Sequence, residues 1–273
     1  MSTRRKINFV KMVASGNDFV VSELKAQSSK LKALAKNICN RKFGVGADGL
    51  LILEKSKSAD IKMRIFNPDG SEAKMCGNGA RCVALYISQK SIVNSQQIKI
   101  KTKAGIIDSQ VDGDKVKINL TEPKDMKLDM PIKVNNRTLH VNFIHTGVPH
   151  SVIFVEGLDR LDVVNLGKRI RFHKIFAPKG TNVDFVQVLN NNSLKVRTYE
   201  RGVEDETLAC GTGAVASALL YAIRYTLYAT YKVNVCTKSG EILKVYFKRM
   251  NNKFKDVWLE GKARIVYAGV YYV

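Results

Sequence analysis

Apolar and polar residues alternate along much of this chain, which is the pattern of strands with one buried face. Two clear examples are Gln97–Lys103, which reads QIKIKTK, and Lys115–Leu120, which reads KVKINL. Short groups of Asp, Asn and Gly separate such segments and predict turns. Similar patterns predict further strands at Ile61–Phe66, Leu139–Phe143, Ser151–Val155, Asp184–Leu189, Leu194–Tyr199, Lys232–Cys236, Leu243–Phe247 and Ala263–Tyr267.

Only three segments predict helices, so the pattern favours an α+β fold. The first is Ser28–Cys39. The other two begin near Gly79 and Gly213 and run through Ala80–Gln89 and Ala214–Tyr228. Both are apolar nearly all round, which predicts helices buried between sheets rather than lying on the surface.

The two apolar helices belong to an internal repeat. Cys76–Leu85 reads CGNGARCVAL and Cys210–Leu219 reads CGTGAVASAL, so six of ten positions are identical. Upstream, Arg64 precedes the first Cys by 12 residues and Arg197 precedes the second by 13. The repeat predicts two similar α+β halves that join near Pro123.

A third echo supports the same duplication. Asn17–Val20 reads NDFV and Asn182–Val186 reads NVDFV. Because three echoes occur in the same order in both halves, chance recurrence of small residues is a poor explanation. Each predicted half therefore contributes one cysteine, and the same Gly-x-Gly-Ala pattern follows it in both halves.

Composition and length exclude several classes of protein. The chain has 273 residues, of which 45% are hydrophobic and 25% charged, as in globular proteins with a sizeable core. The longest apolar run, Ala214–Ile223, is about half of what a membrane helix needs. The basic start at Arg4–Lys6 leads into no apolar signal segment, so we expect a cytoplasmic protein with no membrane partner.

Charge and cysteine content narrow the candidates further. The formal net charge is +21, but the Lys and Arg residues are scattered, so we expect no nucleic-acid partner. The electrostatic field of this positive charge would still raise the rate at which carboxylate substrates encounter the protein. Five cysteines occur without any C-x-x-C spacing, which disfavours zinc ribbons and thiol redox motifs. The sequence Gly44–Gly49 matches G-x-G-x-x-G, but it precedes the apolar run Leu50–Leu53, whereas a dinucleotide-binding fingerprint would follow a strand and open a helix.

Cys76 and Cys210 are predicted at helix N-termini, where free N–H groups and the helix dipole favour thiolate over thiol. The same N–H groups bind anions such as a carboxylate. Inverting a carbon centre needs a base on one face and an acid on the other, and a thiolate with a thiol meets both needs. The alternative is an ordinary small buried cysteine, which we favour for Cys39, Cys82 and Cys236.

The motifs resemble those of the diaminopimelate epimerase family of amino-acid epimerases that work without pyridoxal phosphate. The matching segments follow the family order over residues 15–214. They are Ser15–Phe19, Gly44–Gly49, Arg64–Glu72, Met75–Arg81, Pro149-His150, Gly180–Val183, Tyr199–Gly202, Glu206-Thr207 and Ala209–Ala214.

The resemblance implies two pseudo-symmetric halves, each a mostly antiparallel sheet wrapped around a buried central helix, with the active site in the cleft between them. Residues 1–122 would form one half, completed by 263–273, and residues 123–262 the other. The implied reaction interconverts LL- and meso-2,6-diaminopimelate in lysine and peptidoglycan precursor synthesis. It needs a small amino-acid substrate, no cofactor and no metal. The oligomeric state stays open, with a homodimer as one answer.

The resemblance also implies roles for particular residues. Cys76 and Cys210 would be the two acid/base groups. His150 and Glu200 match positions that modulate the thiols. Substrate-binding side chains and backbone groups would come from Asn17, Asn67, Gly77, Asn78, Asn182, Glu200, Arg201, Gly211 and Thr212. Of these, the backbone of Gly77-Asn78 and Gly211-Thr212 would hold the reacting α-carboxylate, and Arg201 can clamp a carboxylate through two hydrogen bonds.

Other interpretations stay open from the sequence alone. The three asparagines Asn17, Asn67 and Asn182 are also typical turn residues, and His150 could be a hydrogen-bonded structural histidine. The chain has Gly49 where many members have Gln, and Val148 where many have Asn, which puts recognition of the distal end of the substrate in doubt. A racemase or epimerase of another amino acid, similar to proline racemase, is the alternative function.

Overall fold

The computed structural model describes residues 6–90, 96–225, 230–251 and 253–273. These residues form two compact units. The first contains the described residues up to Ile118 together with Gly261–Val273, and the second contains Asn119–Glu260. The sequence predicts its boundaries after residues 122 and 262, whereas the structure has them after 118 and 260. None of the described helices is long and apolar enough to cross a membrane.

The first unit is built from nine of the described strands. They are β1 (Lys6–Ala14), β2 (Asn17–Glu23), β3 (Gly49–Glu54), β4 (Ile61–Phe66), β5 (Glu72–Ala73), β6 (Gln97–Thr102), β7 (Gly105–Asp112), β8 (Lys115–Asn119) and β18 (Arg264–Tyr272). Strand β1 pairs antiparallel with β18 and β2, and β2 runs parallel to β3. Strand β3 is antiparallel to β4, which pairs with β5 and runs parallel to β6. Strands β6, β7 and β8 then follow as antiparallel neighbours.

Two helices complete the first unit. Helix α1 (Ser28–Ile38) buries Leu31, Leu34, Ala35 and Ile38, a spacing that places them on one helical face towards β3 and β4. Helix α2 (Gly77–Lys90) contacts β1, β2, β4, β6, β7 and β18. All of its residues from Asn78 to Leu85 are buried. The predicted burial of this apolar helix is therefore confirmed, and the helix starts two residues before Gly79.

The second unit repeats the same plan. Its strands are β9 (Lys124–Val134), β10 (Arg137–His145), β11 (Pro149–Phe154), β12 (Asn182–Asn190), β13 (Ser193–Glu200), β14 (Asp205–Thr207), β15 (Thr230–Cys236), β16 (Ile242–Met250) and β17 (Lys253–Lys262). Helix α3 (Val163–Arg171) packs on β12, β13 and β14, and helix α4 (Gly211–Tyr225) contacts β10 to β13, β15 and β16. The predicted extension of α4 over residues 226–228 lies outside the described residues.

The order of strand pairings is the same in both units. In the second, β10 pairs with β9 and β11, β11 runs parallel to β12, and β12 is antiparallel to β13. Strand β13 pairs with β14 and runs parallel to β15, and β15, β16 and β17 are antiparallel neighbours. Each unit thus has a mostly antiparallel sheet and one buried central helix, α2 or α4, so the predicted α+β fold is confirmed.

One of the three sequence echoes is wrong. Asn17 begins β2, whose counterpart in the second unit is β11, whereas Asn182 begins β12, whose counterpart is β3. The two segments resemble each other because both open a buried strand directly after a turn. The echoes at Cys76 and Cys210 do occupy equivalent places, directly before α2 and α4.

Helix α3 is an element that the sequence analysis missed. Its first turn contains Val163 and Val164 and its centre contains Gly167, and all three weaken helix propensity. Tertiary packing compensates, because Val163 and Ile170 are buried in a cluster with Phe185 of β12. The start signal was nevertheless present, since the Asp162 side chain accepts a hydrogen bond from the backbone N–H of Asn165 and caps the helix.

We expect Gly167→Ala to destabilise the second unit by about 1–3 kcal/mol, the usual cost of overpacking. A Cβ atom at Gly167 would collide with the Cβ of Tyr199 and lie 2.8 Å from its Cγ, and Tyr199 is itself buried. Urea denaturation measures the change. Lys168→Ala on the exposed side of the same helix is the control, and equal stability of the two variants would contradict this packing argument.

Candidate active site

Cys76 lies between β5 and the first residue of α2, and its side chain is half-buried. Its sulfur accepts a hydrogen bond from the backbone N–H of Gly79 at 3.4 Å, and its carbonyl accepts one from Ala80 at 2.9 Å. The first N–H groups of a helix have no partner within the helix, so the sulfur lies where a negative charge is stabilised. The predicted position of this thiol at a helix N-terminus is confirmed.

A continuous set of hydrogen bonds connects the start of α2 with the β1–β2 turn. The Arg81 guanidinium donates through Nη2 to Ser15 Oγ at 2.7 Å and to Asn78 Oδ1 at 2.5 Å. Asn78 Nδ2 donates to Asn17 Oδ1 at 2.6 Å, and Asn17 Nδ2 donates to Asp48 Oδ2 at 3.0 Å. The structure therefore brings together Asn17 and Asn78, two of the predicted site residues. The arrangement fixes both amides beside the helix that follows Cys76.

Four charged side chains hold the β1–β2 turn against the loop before β3. Arg41 donates to Asp18 at 2.8 Å and to Asp48 at 2.7 Å, and Lys11 contacts Asp18 at 2.7 Å. Lys11 also donates to the Gly46 carbonyl. Burial alone would raise the pKa of Asp18, but the hydrogen bonds from Arg41 and Lys11 outweigh it and hold that pKa well below its ordinary value.

This cluster predicts an acid-sensitive contribution to stability. A carboxyl whose pKa is lowered in the folded protein stabilises the fold above its unfolded pKa, and the benefit is lost as the pH falls towards the folded pKa. Asp18→Asn should therefore cost about 1–2 kcal/mol at pH 7, and the difference from the unsubstituted protein should shrink between about pH 5 and pH 2. Urea denaturation at several pH values measures it. Asp108→Asn, which breaks an exposed ion pair with Lys99, should change little at any pH, and a constant difference for Asp18→Asn would refute the assignment.

Asn67 lies elsewhere in the first unit, in the exposed turn between β4 and β5. Its side chain donates to Ser71 Oγ at 2.9 Å, and its backbone N–H donates to the Ser71 carbonyl. These bonds are those of a turn residue, and the predicted substrate contact of Asn67 stays a prediction.

Gly77, the first residue of α2, is half-buried, and a Cβ there would lie 3.4 Å from Ile118 Cδ1.

Cys210 has the equivalent position in the second unit, between β14 and the start of α4. Its sulfur lies 3.5 Å from Thr212 Oγ1 and receives a hydrogen bond from the backbone N–H of Gly213. Burial raises the pKa of this thiol well above its ordinary value, and the negative charges of Glu200 and Asp184 raise it further. The helix N-terminus predicted for Cys210 is confirmed, but its surroundings favour the thiol.

His150 lies at the centre of a buried hydrogen-bonded chain. Its Nδ1 is 2.7 Å from Asp184 Oδ2, and its Nε2 is 2.9 Å from Thr212 Oγ1. The other carboxylate oxygen of Asp184 accepts from Thr198 Oγ1 at 2.7 Å. Both His150 and Asp184 are completely buried, at 0% exposure. The chain Asp184–His150–Thr212–Cys210 thus connects a buried carboxylate to the sulfur through polar groups of the second unit alone.

Asn182 and Arg201 complete the group of side chains around Cys210; we call this group, and the one around Cys76, the two half-sites. Asn182 Nδ2 donates to the Pro149 carbonyl at 3.2 Å and lies 3.4 Å from His150 Nε2, while its Oδ1 accepts from the Arg201 backbone N–H at 2.8 Å. The Arg201 guanidinium donates to the Lys179 carbonyl at 3.4 Å. Burial raises the pKa of Glu200. Of the predicted site residues, the structure therefore clusters His150, Asn182, Glu200, Arg201, Cys210, Gly211 and Thr212.

Two positions at which the chain departs from the family pattern have clear local surroundings. Gly49 is buried at the start of β3, and a Cβ there would lie 3.3 Å from Phe19 Cδ1 and from the Phe66 carbonyl. A larger side chain would require Phe19 to move. Val148 is half-buried in the β10–β11 turn, where its carbonyl accepts from the Thr146 N–H at 3.1 Å.

Two residues near the cysteines, Arg81 and Asp184, are not among those predicted from the sequence. Each is a charged residue in an otherwise apolar buried segment, helix α2 for Arg81 and strand β12 for Asp184. That contrast was the available signal, because a fully buried charge must be hydrogen-bonded or paired. Within the part of the chain that the structure describes, no group of three or more His, Cys, Asp or Glu side chains is arranged to hold a metal ion.

Solved structures share this fold at low sequence identity. A phenazine biosynthesis protein of the PhzF family from Bacillus anthracis matches 98% of this chain and 100% of its own with a TM-score of 0.78 and 18% identity. A hydroxyproline epimerase from Agrobacterium vitis matches 100% of this chain and 92% of its own with a TM-score of 0.74 and 16% identity. The protein therefore has the two-unit fold found in PhzF-type proteins and in an amino-acid epimerase.

Sequence relatives identify the family within this class. A sequence profile described as "Diaminopimelate epimerase" matches residues 9–125 and 142–266. The diaminopimelate epimerase of Aquifex aeolicus is 41% identical over 96% of this chain and 97% of its own length. That of Methanocella arvoryzae is 43% identical over 97% of this chain and 96% of its own. The chain belongs to the diaminopimelate epimerase family, as its motifs predict.

Proposed function

We propose that this protein interconverts LL- and meso-diaminopimelate by inverting one α-carbon, with Cys76 and Cys210 as the two acid/base groups. One observation carries the proposal. Each unit supplies a half-buried cysteine directly before its buried central helix, and a backbone N–H of that helix donates to the sulfur. Family membership supports the substrate, and the repeated position of the thiol supports the two-base chemistry.

The reaction balances with the two sulfurs alone. A thiolate takes the α-proton as the C–H bond breaks, and the electron pair stays on the α-carbon. The opposite thiol gives its proton to the other face, so that a new C–H bond forms and that sulfur becomes the thiolate. No proton or charge is gained or lost, and exchange of the two roles runs the reverse reaction.

The helix N-termini supply the electrostatic part of the proposal. Negative charge that develops at the α-carbon spreads into the reacting carboxylate, and backbone N–H groups of Gly77-Asn78 and Gly211-Thr212 are suited to hold it. Asn17, Asn67, Asn182, Glu200 and Arg201 would bind the remaining ammonium and carboxylate groups. A substrate with four charged groups needs this many fixed partners, because each desolvated charge must be paired.

The wider context rests on the same proposal. This activity would serve the synthesis of lysine and of peptidoglycan precursors in the cytoplasm. The expected partner is a small amino-acid substrate, without nucleic acid or membrane. The homodimer left open by the sequence stays a prediction.

An assay of stereochemical inversion tests the proposed function. The purified full-length protein is incubated with LL-diaminopimelate, and the isomers are separated by chiral chromatography. We expect meso-diaminopimelate to form until both isomers coexist, and no inversion of proline, hydroxyproline or lysine under the same conditions. Inversion of one of those amino acids with none of diaminopimelate would instead establish the alternative racemase function.

A further inference from the structure

The equivalent place beneath the two central helices is filled differently in the two units. A Cβ atom at Gly79 of α2 would lie 3.2 Å from Leu51 Cδ2, whereas one at Gly213 of α4 would collide with Asp184 Oδ1. Gly79 and Gly213 occupy the same position of the repeat, three residues after the cysteine. An apolar side chain therefore lies beside the first helix start, and a buried carboxylate lies beside the second.

The two repeats also differ at a second equivalent position, where the charged residue is positive and belongs to the first unit. The residue five positions after the cysteine is Arg81 in α2 and Val215 in α4. Arg81 is 0% exposed, and its guanidinium donates to Asn78 within the first turn of the helix. The first half-site therefore contains a buried cation where the second has an apolar residue.

The other charged groups near the two helix starts do not cancel this difference in charge between the two units. Around the first helix start they include the exposed Lys74 and an ion-paired set of four side chains, which are Lys11 of β1, Asp18 of β2, and Arg41 and Asp48 from the loop before β3. Arg81 adds a positive charge to this balanced set. Around Cys210 the titratable and charged groups are His145 at the end of β10, His150 of β11, Asp184 of β12, and Glu200 and Arg201 at the end of β13.

A hydrogen-bonded chain connects the buried Asp184 carboxylate to Cys210. Asp184 Oδ2 lies 2.7 Å from His150 Nδ1, where the carboxylate accepts a hydrogen bond from the ring N–H. On the other side of the ring, His150 Nε2 lies 2.9 Å from Thr212 Oγ1. Thr212 Oγ1 in turn lies 3.5 Å from the Cys210 sulfur, and either atom can be the donor. The hydrogen bonds from Thr212 and from the Gly213 backbone lower the pKa of the Cys210 thiol, but burial and the negative charges of Glu200 and Asp184 outweigh them and favour the protonated thiol.

We propose that Arg81 and Asp184 are positioning residues that make the two thiols unequal, so that Cys76 rests as the thiolate and Cys210 rests as the thiol. The inference rests on the proposed function for its catalytic meaning: the resting enzyme first accepts the stereoisomer whose α-hydrogen faces Cys76. The thiol states themselves can be measured without any turnover.

Alkylation of the intact protein by iodoacetamide, a neutral reagent, tests the inference because thiolates react and thiols do not. Tryptic peptides are quantified by mass spectrometry between pH 5 and pH 10. At pH 7 we expect Cys76 to react at least about tenfold faster than Cys210, the ratio that one pKa unit produces. Cys39 and Cys82 are the slow references, because burial raises the pKa of both thiols, to about 11 for Cys39.

Variants assign the difference to the two charges. Asp184→Asn should speed alkylation of Cys210 by about tenfold and lower the pH midpoint of its reaction by about one unit, with Cys76 unchanged. Arg81→Met should slow Cys76 to a similar extent, and Arg81→Lys, which keeps the charge, should restore most of the rate. Asp159→Asn is the control, since this exposed carboxylate pairs with Lys195 and faces neither thiol.

Equal rates for the two thiols in the unsubstituted protein, or faster reaction of Cys210, would overturn the inference. An Asp184→Asn protein that keeps the circular dichroism spectrum of the unsubstituted protein but shows an unchanged Cys210 midpoint would do the same. If a variant fails to fold, the order of reaction in the unsubstituted protein decides by itself. A protein that alkylates in the expected order yet inverts no diaminopimelate would disprove the proposed function alone.

Discussion

Replacement of either Cys76 or Cys210 by alanine should reduce epimerisation of diaminopimelate by at least about a thousandfold, within the range that one positioned acid or base contributes. In the proposed mechanism each sulfur serves one face of the α-carbon, and neither can take over the other's face. Alanine adds no bulk at these half-buried positions, so circular dichroism and the urea midpoint should stay close to those of the unsubstituted protein. Initial rates from chiral chromatography measure the loss in both directions.

Serine and a third cysteine provide the matched controls. Cys76→Ser and Cys210→Ser keep the shape of the thiol but should remain slow, because a hydroxyl is much harder to ionise. Cys236→Ser should retain nearly full activity, since Cys236 ends β15 and has no part in either half-site. A folded Cys76→Ala or Cys210→Ala protein that turns over at an undiminished rate would exclude the two-thiol mechanism.

The second large effect concerns a single methyl group at the start of α4. Gly213→Ala would place a Cβ against the Asp184 carboxylate, which is buried and held by His150 and Thr198. The carboxylate cannot move without breaking those bonds, so we expect a destabilisation of about 1–3 kcal/mol. Activity should fall by about a hundredfold or more, because a displaced Asp184 also displaces His150.

Gly79→Ala is the matched comparison in the first unit. Its Cβ would lie 3.2 and 3.5 Å from the Leu51 methyl groups, which can rotate away, and 3.6 Å from the Cys76 Cβ, which is an ordinary van der Waals contact. Urea denaturation and initial rates of both variants should therefore show a much smaller loss for Gly79→Ala. If the two alanine variants behave alike, the buried carboxylate does not constrain the start of α4 as the structure indicates.

Sequence patterning predicted the central elements of this fold because their signals are local. The predicted strand Ile61–Phe66 has the same first and last residues as β4, and the two predicted apolar helices are the buried central helices of their units. Strands β1, β2, β3, β5, β7, β9, β14 and β17 were not predicted. Several of them are buried on both faces or exposed over long stretches, so that alternation is weak: Val20 to Ser22 in β2 and Leu50 to Leu53 in β3 are all buried. Helix α3 forms through packing against β13, which a local pattern does not contain.

The candidate site divides in a similar way. Cys76 and Cys210 were found because the glycine frame recurs in the sequence, and the structure places both at helix starts. Arg81 and Asp184 were not found because their importance depends on contacts with residues far along the chain, Ser15 for Arg81 and His150 for Asp184. The two copies of the repeat are similar enough to identify equivalent positions. At those positions, the charged residues in which the copies differ give the two helix starts different electrostatic surroundings.

Incorporation of solvent deuterium during the first few per cent of turnover tests the two-thiol mechanism most directly. A thiol carries one proton, so the base that removes the α-hydrogen returns that same hydrogen if the reaction reverses, while the opposite thiol delivers deuterium taken from D₂O. Starting from LL-diaminopimelate, mass spectrometry should find deuterium in the meso product and none in the recovered substrate. Deuterium that enters substrate and product equally, or a product that retains the original hydrogen, would contradict the use of two separate sulfurs.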